Sequence, residues 1–248
     1  KWNSKMPIDG SDPTFSRIGS LPKTHFVNPI GVGQDPWVVR DEKNQRYLWC
    51  SSEGDRAITI HSSQNLSSLG QRHLVWKSPD SGPYSKQVWA PELHLLNGKW
   101  HIYFAASDGK NKNHRAFVLQ SKTDDPLGKY ELHGPFQTGE TASRNLWAID
   151  MTPLKFQDKL YAIWSGWDGP NTDRQYLYIA KMESPLKLST KRVRICDNLD
   201  YNWELTEPKP RGRGLNEGPQ VIKNGMRTFV TYSCGASWLP NYKLGLLE

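Results

Sequence analysis

A β-propeller, an all-β ring of radially repeated sheets, is the fold this sequence predicts, and three observations predict it. An acidic residue opens a strand-like apolar run four times, at Asp35, Glu92, Asp150 and Glu217. The steps are 57, 58 and 67 residues (35 to 92, 92 to 150, 150 to 217). Each acid is followed by similar text: an apolar run, a turn, an aromatic-rich run and a third run. A long period of short strands is the signature of a radial repeat. Finally, 11 tryptophans and 10 tyrosines suit strands and flat polar ligands.

Taken in order, residues 1–30 are polar and turn-rich and read as an irregular lead-in. Residues 31–248 read as the propeller. Blade one runs from about Gln34 to Leu69, with DPWVVR, RYLWCSS and AITIHSS as its strands. Blade two runs from about Val88 to Asp125, with APELHLL, KWHIYFAAS and HRAFVLQSK. Blade three spans about Ala148 to Pro185, with AIDMTPLKF, KLYAIWSGW and QYLYIAKM. Blade four starts near Leu215, with EGPQVIK, MRTFVTYSC and YKLGLLE. The text stops inside that third strand, so the expectation is a piece of a longer chain whose C-terminal blade is missing or incomplete. An unclosed ring would leave an exposed edge, which proteins avoid.

The first strand of each propeller blade lines the axis, so equivalent positions about 60 residues apart converge. Carboxylates gathered there repel, and their pKa values spread apart. Such spreading is how one site obtains an acid and a base at one pH. Asp35, Asp150 and Glu217 form the candidate constellation. One carboxyl would protonate a leaving oxygen while another activates water, which is the need of a glycosidase. The longer Glu217 suits the proton donor and Asp35 the base. Asp150 would be the charge that keeps Glu217 protonated. Any one acid beside a proline could simply be a turn residue; three in one repeat register need another account. Glu92 is the odd member, expected as a supporting carboxylate behind the others. Trp89 is the leading candidate for a platform under a sugar ring. Trp37, Trp147 and Trp167 are weaker candidates, and Ile149 beside Asp150 joins them, although inter-blade packing accounts better for Trp37.

Net charge is +7, spread along the chain apart from KPRGRG at Lys209–Gly214. That loop could favour an acidic substrate or simply be solvated. No helix-borne basic stripe or nucleic-acid motif is present, so nucleic acid is not an expected partner. No apolar run reaches about 18 residues, so no membrane insertion is expected. Cys50, Cys196 and Cys234 are far apart, and no disulfide is demanded. The seven histidines show neither HxH nor HExxH spacing, so no dedicated metal site is expected. His94 and His101 read as surface or strand-pairing residues. The first residue is Lys1, which suggests a processed or trimmed N-terminus.

The motifs QDP at Gln34–Pro36, WAPE at Trp89–Glu92, AID at Ala148–Asp150 and NEGP at Asn216–Pro219 together resemble glycoside hydrolase family 43. The resemblance covers roughly residues 30–248. It implies a five-bladed propeller that hydrolyses arabinan, arabinoxylan or related oligo- and polysaccharides with inversion. By motif it implies Asp35 as general base, Asp150 as pKa modulator and Glu217 as general acid. The text around VWAPELHLLNGKWHIYFAAS and SCGASWLPNYKLGLLE is most similar to members acting on α-L-arabinofuranosides. β-Xylosidase or galactan-active relatives, and a glycan-binding propeller without catalysis, remain the alternatives. No cofactor is required, with a structural Ca2+ or Na+ in the central channel as an option. The expected location is secreted or periplasmic. The arginine and the metal-proximal histidine that family members draw from a fifth blade have no counterpart in this text.

Overall fold

The computed structural model describes residues 28–139, 145–199, 201–207, 209 and 212–248. Most of the expected N-terminal lead-in therefore lies outside the described residues. The strands form four antiparallel meanders. Sheet one holds β1 (Trp37–Asp41), β2 (Arg46–Glu53), β3 (Ala57–Ser63) and β4 (Gln71–Lys77). Sheet two holds β5 (Lys86–Leu96), β6 (Lys99–Ser107), β7 (Arg115–Ser121) and β8 (Tyr130–His133). Sheet three holds β9 (Ala148–Phe156), β10 (Lys159–Trp167) and β11 (Gln175–Ser184); β12 (Lys187–Leu188) and β13 (Val193–Cys196) both pair with β11. Sheet four holds β14 (Glu217–Asn224), β15 (Arg227–Cys234) and β16 (Lys243–Leu247).

The hairpin turns follow from local chemistry. Asn97-Gly98 joins β5 to β6 with φ of 51° and 77°, and Gln157-Asp158 joins β9 to β10 with φ of 46° and 59°. Two positive φ values are what a two-residue turn needs to match the strand twist. Asn-Gly meets that need readily, whereas Gln157-Asp158 meets it at a steric cost.

The inner three strands of each blade match the runs read from the sequence. The outermost strands do not: β4, β8, β12 and β13 lie beyond the expected blade ends at Leu69, Asp125 and Pro185. Their text is short or polar, as in YELH and KL. An outer strand is far from the axis and packs lightly, so it needs little apolar pattern.

Blades pack face to face in chain order. β6 shows why: Trp100 to Ser107 is buried throughout. Its alternate side chains serve two cores. Ile102 and Phe104 join Leu48, Ile58, Ile60 and Leu93 between sheets one and two. Tyr103 joins Met151, Trp164 and Tyr178 between sheets two and three. Leu177, Cys196, Tyr232 and Cys234 fill the space between sheets three and four. All three cysteines are buried and free. The outward faces at the two ends of this series stay apolar and exposed. They carry Val38 and Leu74 on sheet one, and Ile222, Leu244 and Leu246 on sheet four. The described residues thus form four blades of an incomplete propeller.

His101 departs from expectation. It does pair across strands with His94, but it is buried rather than at the surface. Its Nδ1 lies 3.0 Å from the Lys99 carbonyl oxygen and its Nε2 2.9 Å from Gln120 Nε2. The neutral ring satisfies both contacts, with Nδ1–H donating and Nε2 accepting. Burial lowers its pKa to about 4. A depressed histidine stabilises the fold above the unfolded value of about 6.5, and that contribution is lost as pH falls toward 4. We expect the lost stability to be on the order of 2–3 kcal/mol. Urea unfolding at pH 7 and pH 4.5 checks this: the fall should be markedly smaller in His101→Gln than in the parent.

Candidate active site

The feature shared by the inner strands is a bulge, not an acid. In β5, Trp89 pairs with Ala105 and Glu92 with Tyr103, so Ala90 and Pro91 together oppose Phe104. In β9, Ile149 pairs with Ser165 and Thr152 with Ile163, so Asp150 and Met151 oppose Trp164. In β14, Glu217 pairs with Ser233 and Gln220 with Thr231, so Gly218 and Pro219 oppose Tyr232. The first residue of each bulge is left-handed: Ala90 at φ 43°, Asp150 at 52° and Gly218 at 57°. Asp35, two residues before the Trp37–Cys50 pair of sheet one, matches them at φ 48°. A left-handed first bulge residue re-aims the side chains around it and is common beside active sites. Three non-glycine residues in this conformation are backbone strain of the kind that gathers at functional positions.

This corrects the repeat register. The equivalent positions are Asp35, Ala90, Asp150 and Gly218. Glu217 stands one residue before its blade's bulge, and Glu92 two residues after the first bulge residue of its own. The three catalytic candidates nevertheless face one another. The Gly218 amide donates to Asp150 Oδ2 at 2.9 Å, tying blade three to blade four at the axis. Burial pushes the Asp150 carboxyl well above the usual carboxylate range; the charge of Glu217 adds to this, the Gly218 amide opposes it, and Asp35 and Glu92 contribute further. Burial also raises Glu217; hydrogen bonds from Gln175 and Tyr242 oppose it, and the charge of Asp35 adds to it. Asp35 is exposed as a residue, yet desolvation of its carboxyl raises it too. Asp150 and Glu217 therefore titrate as a pair.

Two residues absent from the sequence reading hold Glu217. Gln175, the first residue of β11, donates from Nε2 to Glu217 Oε2 at 3.0 Å and to Ser165 Oγ at 3.2 Å. The Tyr242 hydroxyl, just before β16, donates to Glu217 Oε1 at 3.1 Å. Behind them, Ser165 Oγ donates to the Asn216 carbonyl at 2.8 Å. The Asn216 amide reaches the fully buried Glu204 at 3.2 Å, as does the Tyr232 hydroxyl at 2.6 Å. Gln175 lies in none of the four acid motifs, and Tyr242 lies in SCGASWLPNYKLGLLE without being singled out there; what marks both is the closeness of blades three and four.

Glu92 is buried and bridges blades. Gln220 Nε2 donates to its Oε1 at 2.5 Å, and His94 Nε2 lies 2.9 Å from its Oε2. It thus ties the inner strands of blades two and four together. Trp89 is half-buried and stacks on His114 at 3.8 Å. His114 meets Trp147 edge-on, and Trp147 stacks on Trp167 at 4.9 Å with the planes 11° apart. Ile149 packs into the same cluster. Ile149 and Trp167 are buried, so they back the wall that Trp89 fronts instead of offering a face of their own. Trp37 is engaged between blades one and two: its Nε1–H donates to the Leu93 carbonyl at 2.8 Å, and its ring lies 4.6 Å from His94. Packing between blades one and two uses both its polar atom and its ring. The described cations of the basic loop are tied down as well. Lys209 Nζ donates to the Leu199 carbonyl at 2.6 Å, and Arg213 pairs with Asp173. Among the described residues no group of three His, Cys, Asp or Glu could hold a metal ion.

The family model for glycosyl hydrolases family 43 matches residues 26–246. An extracellular exo-α-(1→5)-L-arabinofuranosidase of Streptomyces chartreusis is 29% identical over 219 residues, 86% of this chain and 63% of that protein. α-L-Arabinofuranosidase 43 of Humicola insolens is 30% identical over 231 residues, 91% of this chain and 46% of that protein. The chain thus spans about half to two thirds of the length of these relatives. The crystal structure of an α-L-arabinofuranosidase from Lactobacillus brevis superposes with a TM-score of 0.77 at 31% identity, covering 89% of this chain and 69% of that one. With four inner strands around one axis, three of them bulged at the same place, and a match over nearly the whole chain, this protein belongs to glycosyl hydrolases family 43.

Proposed function

We propose that this chain carries the catalytic acids of an inverting, exo-acting α-L-arabinofuranosidase that works on plant cell-wall oligo- and polysaccharides. The observation that carries the reading is the meeting of Asp35, Asp150 and Glu217 at one end of the axis, each with a carboxyl pKa raised by burial. The arabinofuranosidase relatives support the choice of sugar. Two Streptomyces relatives named as extracellular support a secreted protein. No helix of the described residues is long and apolar enough to cross a membrane.

In this reading Asp35 is the general base. A raised pKa makes it a better proton acceptor for the attacking water. Glu217 is the general acid. The Asp150–Glu217 pair retains one proton near neutrality, because burial and mutual repulsion disfavour the double anion. Burial raises Asp150 further than Glu217, yet we assign the shared proton to Glu217, because its partners can accommodate it. A tyrosine hydroxyl can turn from donor to acceptor, so Tyr242 can accept from protonated Glu217 Oε1. The Gly218 amide cannot reverse and keeps Asp150 Oδ2 as an acceptor. Water then bonds to the anomeric carbon as the bond to the leaving oxygen breaks. Asp35 takes the water proton and Glu217 delivers its own to the leaving oxygen.

A base acting through water requires roughly 6.5–9.5 Å between the two carboxyls, against about 5–5.5 Å for a direct nucleophile. We expect the wider spacing and an inverted product. Nitrophenyl α-L-arabinofuranoside should be cleaved in preference to the β-D-xyloside and β-D-galactoside, with proton NMR showing the inverted anomer first. Initial release of the retained anomer refutes the mechanism. Release from none of the three, with oligosaccharide binding intact, makes the protein a glycan-binding propeller.

A further inference from the structure

The two segments that meet Glu217 share an anchor. One is Asn216, the residue just before it, which is fully buried. Its amide N–H donates to the Gln175 carbonyl at 3.0 Å, and its own carbonyl accepts from Ser165 Oγ. Its side-chain Nδ2 reaches Glu204 Oε1 at 3.2 Å and Cys196 Sγ at 3.1 Å. The other segment is the turn between β15 and β16, which ends on Tyr242. The Gly235 amide at its start donates to the Glu204 carbonyl at 3.2 Å, and Asn241 Nδ2 near its end donates to the Thr206 carbonyl at 2.7 Å. Both segments therefore rest on one short stretch, residues 204–206. Glu204 holds the first by its side chain and the second by its main chain.

Glu204 closes the short 3₁₀ turn Asn202–Glu204 and is fully buried. Its Oε1 gathers donors from three elements: the Tyr232 hydroxyl of β15 at 2.6 Å, the Asn216 amide ahead of β14 and, more distantly, the Cys196 thiol of β13 at 3.6 Å. Its Oε2 has no partner among the described residues. A buried carboxyl with one oxygen unpaired costs stability, and an apolar side chain of similar size would fill the same space between blades three and four. What the carboxyl adds is a fixed acceptor, and that acceptor fixes Asn216. The contacts then close on the acid. The Gln175 carbonyl is held by the Asn216 amide and by Asn198 Nδ2 at 2.5 Å, and the Gln175 side chain holds Glu217 Oε2.

We propose that Glu204 is a positioning residue for the general acid: by fixing Asn216 and the turn that carries Tyr242, it holds the Glu217 carboxyl where the leaving oxygen will stand. This rests on the reading of Glu217 as the proton donor. Glu204 is buried behind Asn216 and acts only through other residues. A proton donor must lie within hydrogen-bond reach of the oxygen it protonates, and a displacement of about 1 Å costs rate steeply. The base, Asp35, precedes β1 on blade one, outside these contacts. Loss of Glu204 therefore impairs proton donation and leaves water activation intact.

The test uses that asymmetry. Glu204→Leu keeps the volume and removes the acceptor. Its kcat on arabinotriose should fall about 10-fold, while kcat on nitrophenyl α-L-arabinofuranoside, whose leaving group needs no proton, should stay within about 2-fold. Glu204→Gln, whose carbonyl oxygen can still accept from Asn216 and Tyr232, should recover most of the loss. Equal losses on the two substrates make Glu204 a residue of the fold alone and overturn the proposal, as does no loss on either. Should Glu204→Leu fail to fold, Asn216→Ala, which cuts the same link from its other end, decides by the same contrast. Should the parent hydrolyse neither substrate, the glycosidase reading fails by itself, and amide exchange decides whether Glu204 positions Glu217. Exchange about 10-fold faster in the variant at residues 216–218 and 235–242, with sheet one unchanged, upholds it. Exchange that is unchanged, or faster in every sheet alike, rejects it.

Discussion

Asp35→Asn is expected to abolish turnover on every substrate, by roughly 10²–10⁴-fold in kcat, the range of a positioned general base. The breadth of the loss is the informative part. Activating water is needed whatever leaves, so a better leaving group should not rescue the variant. The substitution keeps size and hydrogen bonding, and asparagine tolerates the left-handed backbone that Asp35 adopts at φ 48°. Thermal unfolding should therefore move little. Parallel assays on nitrophenyl α-L-arabinofuranoside and arabinotriose check the claim. Substantial turnover on either would remove Asp35 from the base's role.

Glu217→Gln should behave differently, and the contrast separates acid from base. A nitrophenolate departs without a proton, whereas a sugar alkoxide needs one. The loss on arabinotriose should be about 10²–10⁴-fold, and on the aryl glycoside far smaller. The single carbonyl oxygen of the new side chain can still accept from Gln175, and the Tyr242 hydroxyl can turn to accept from the new amide group. Loss of equal size on both substrates would mean that Glu217 is not the proton donor. The assignment built on NEGP would then fall, even if the fold stood.

Much of this molecule was legible as text. The inner strands could be read because each is an apolar run facing two cores, with turn residues at its ends. The convergence of Asp35, Asp150 and Glu217 followed from the repeat, since equivalent strands of a propeller share one axis. The outer strands could not be read, because YELH and KL carry no pattern strong enough to distinguish a light edge from a loop. Trp37 could not be decided from the text for a related reason. A tryptophan beside an acid looks the same in sequence whether its ring faces a ligand or the next blade, and here its indole N–H is spent on Leu93.

What the sequence by itself determined is the class of fold and the four-fold recurrence, with the candidate acids it singles out. These depend on periodicity and on chemistry that a residue carries wherever it lies. What only the tertiary structure decided is the register and the partners. An unpaired bulge residue shifts pairing by one without changing the spacing of the text, so Glu217 and Glu92 seemed equivalent to Asp35 and are not. Gln175 and Tyr242 reach Glu217 from 42 and 25 residues away in the chain. A hydrogen bond is set by distance in space, and the packing of one blade on the next sets that distance.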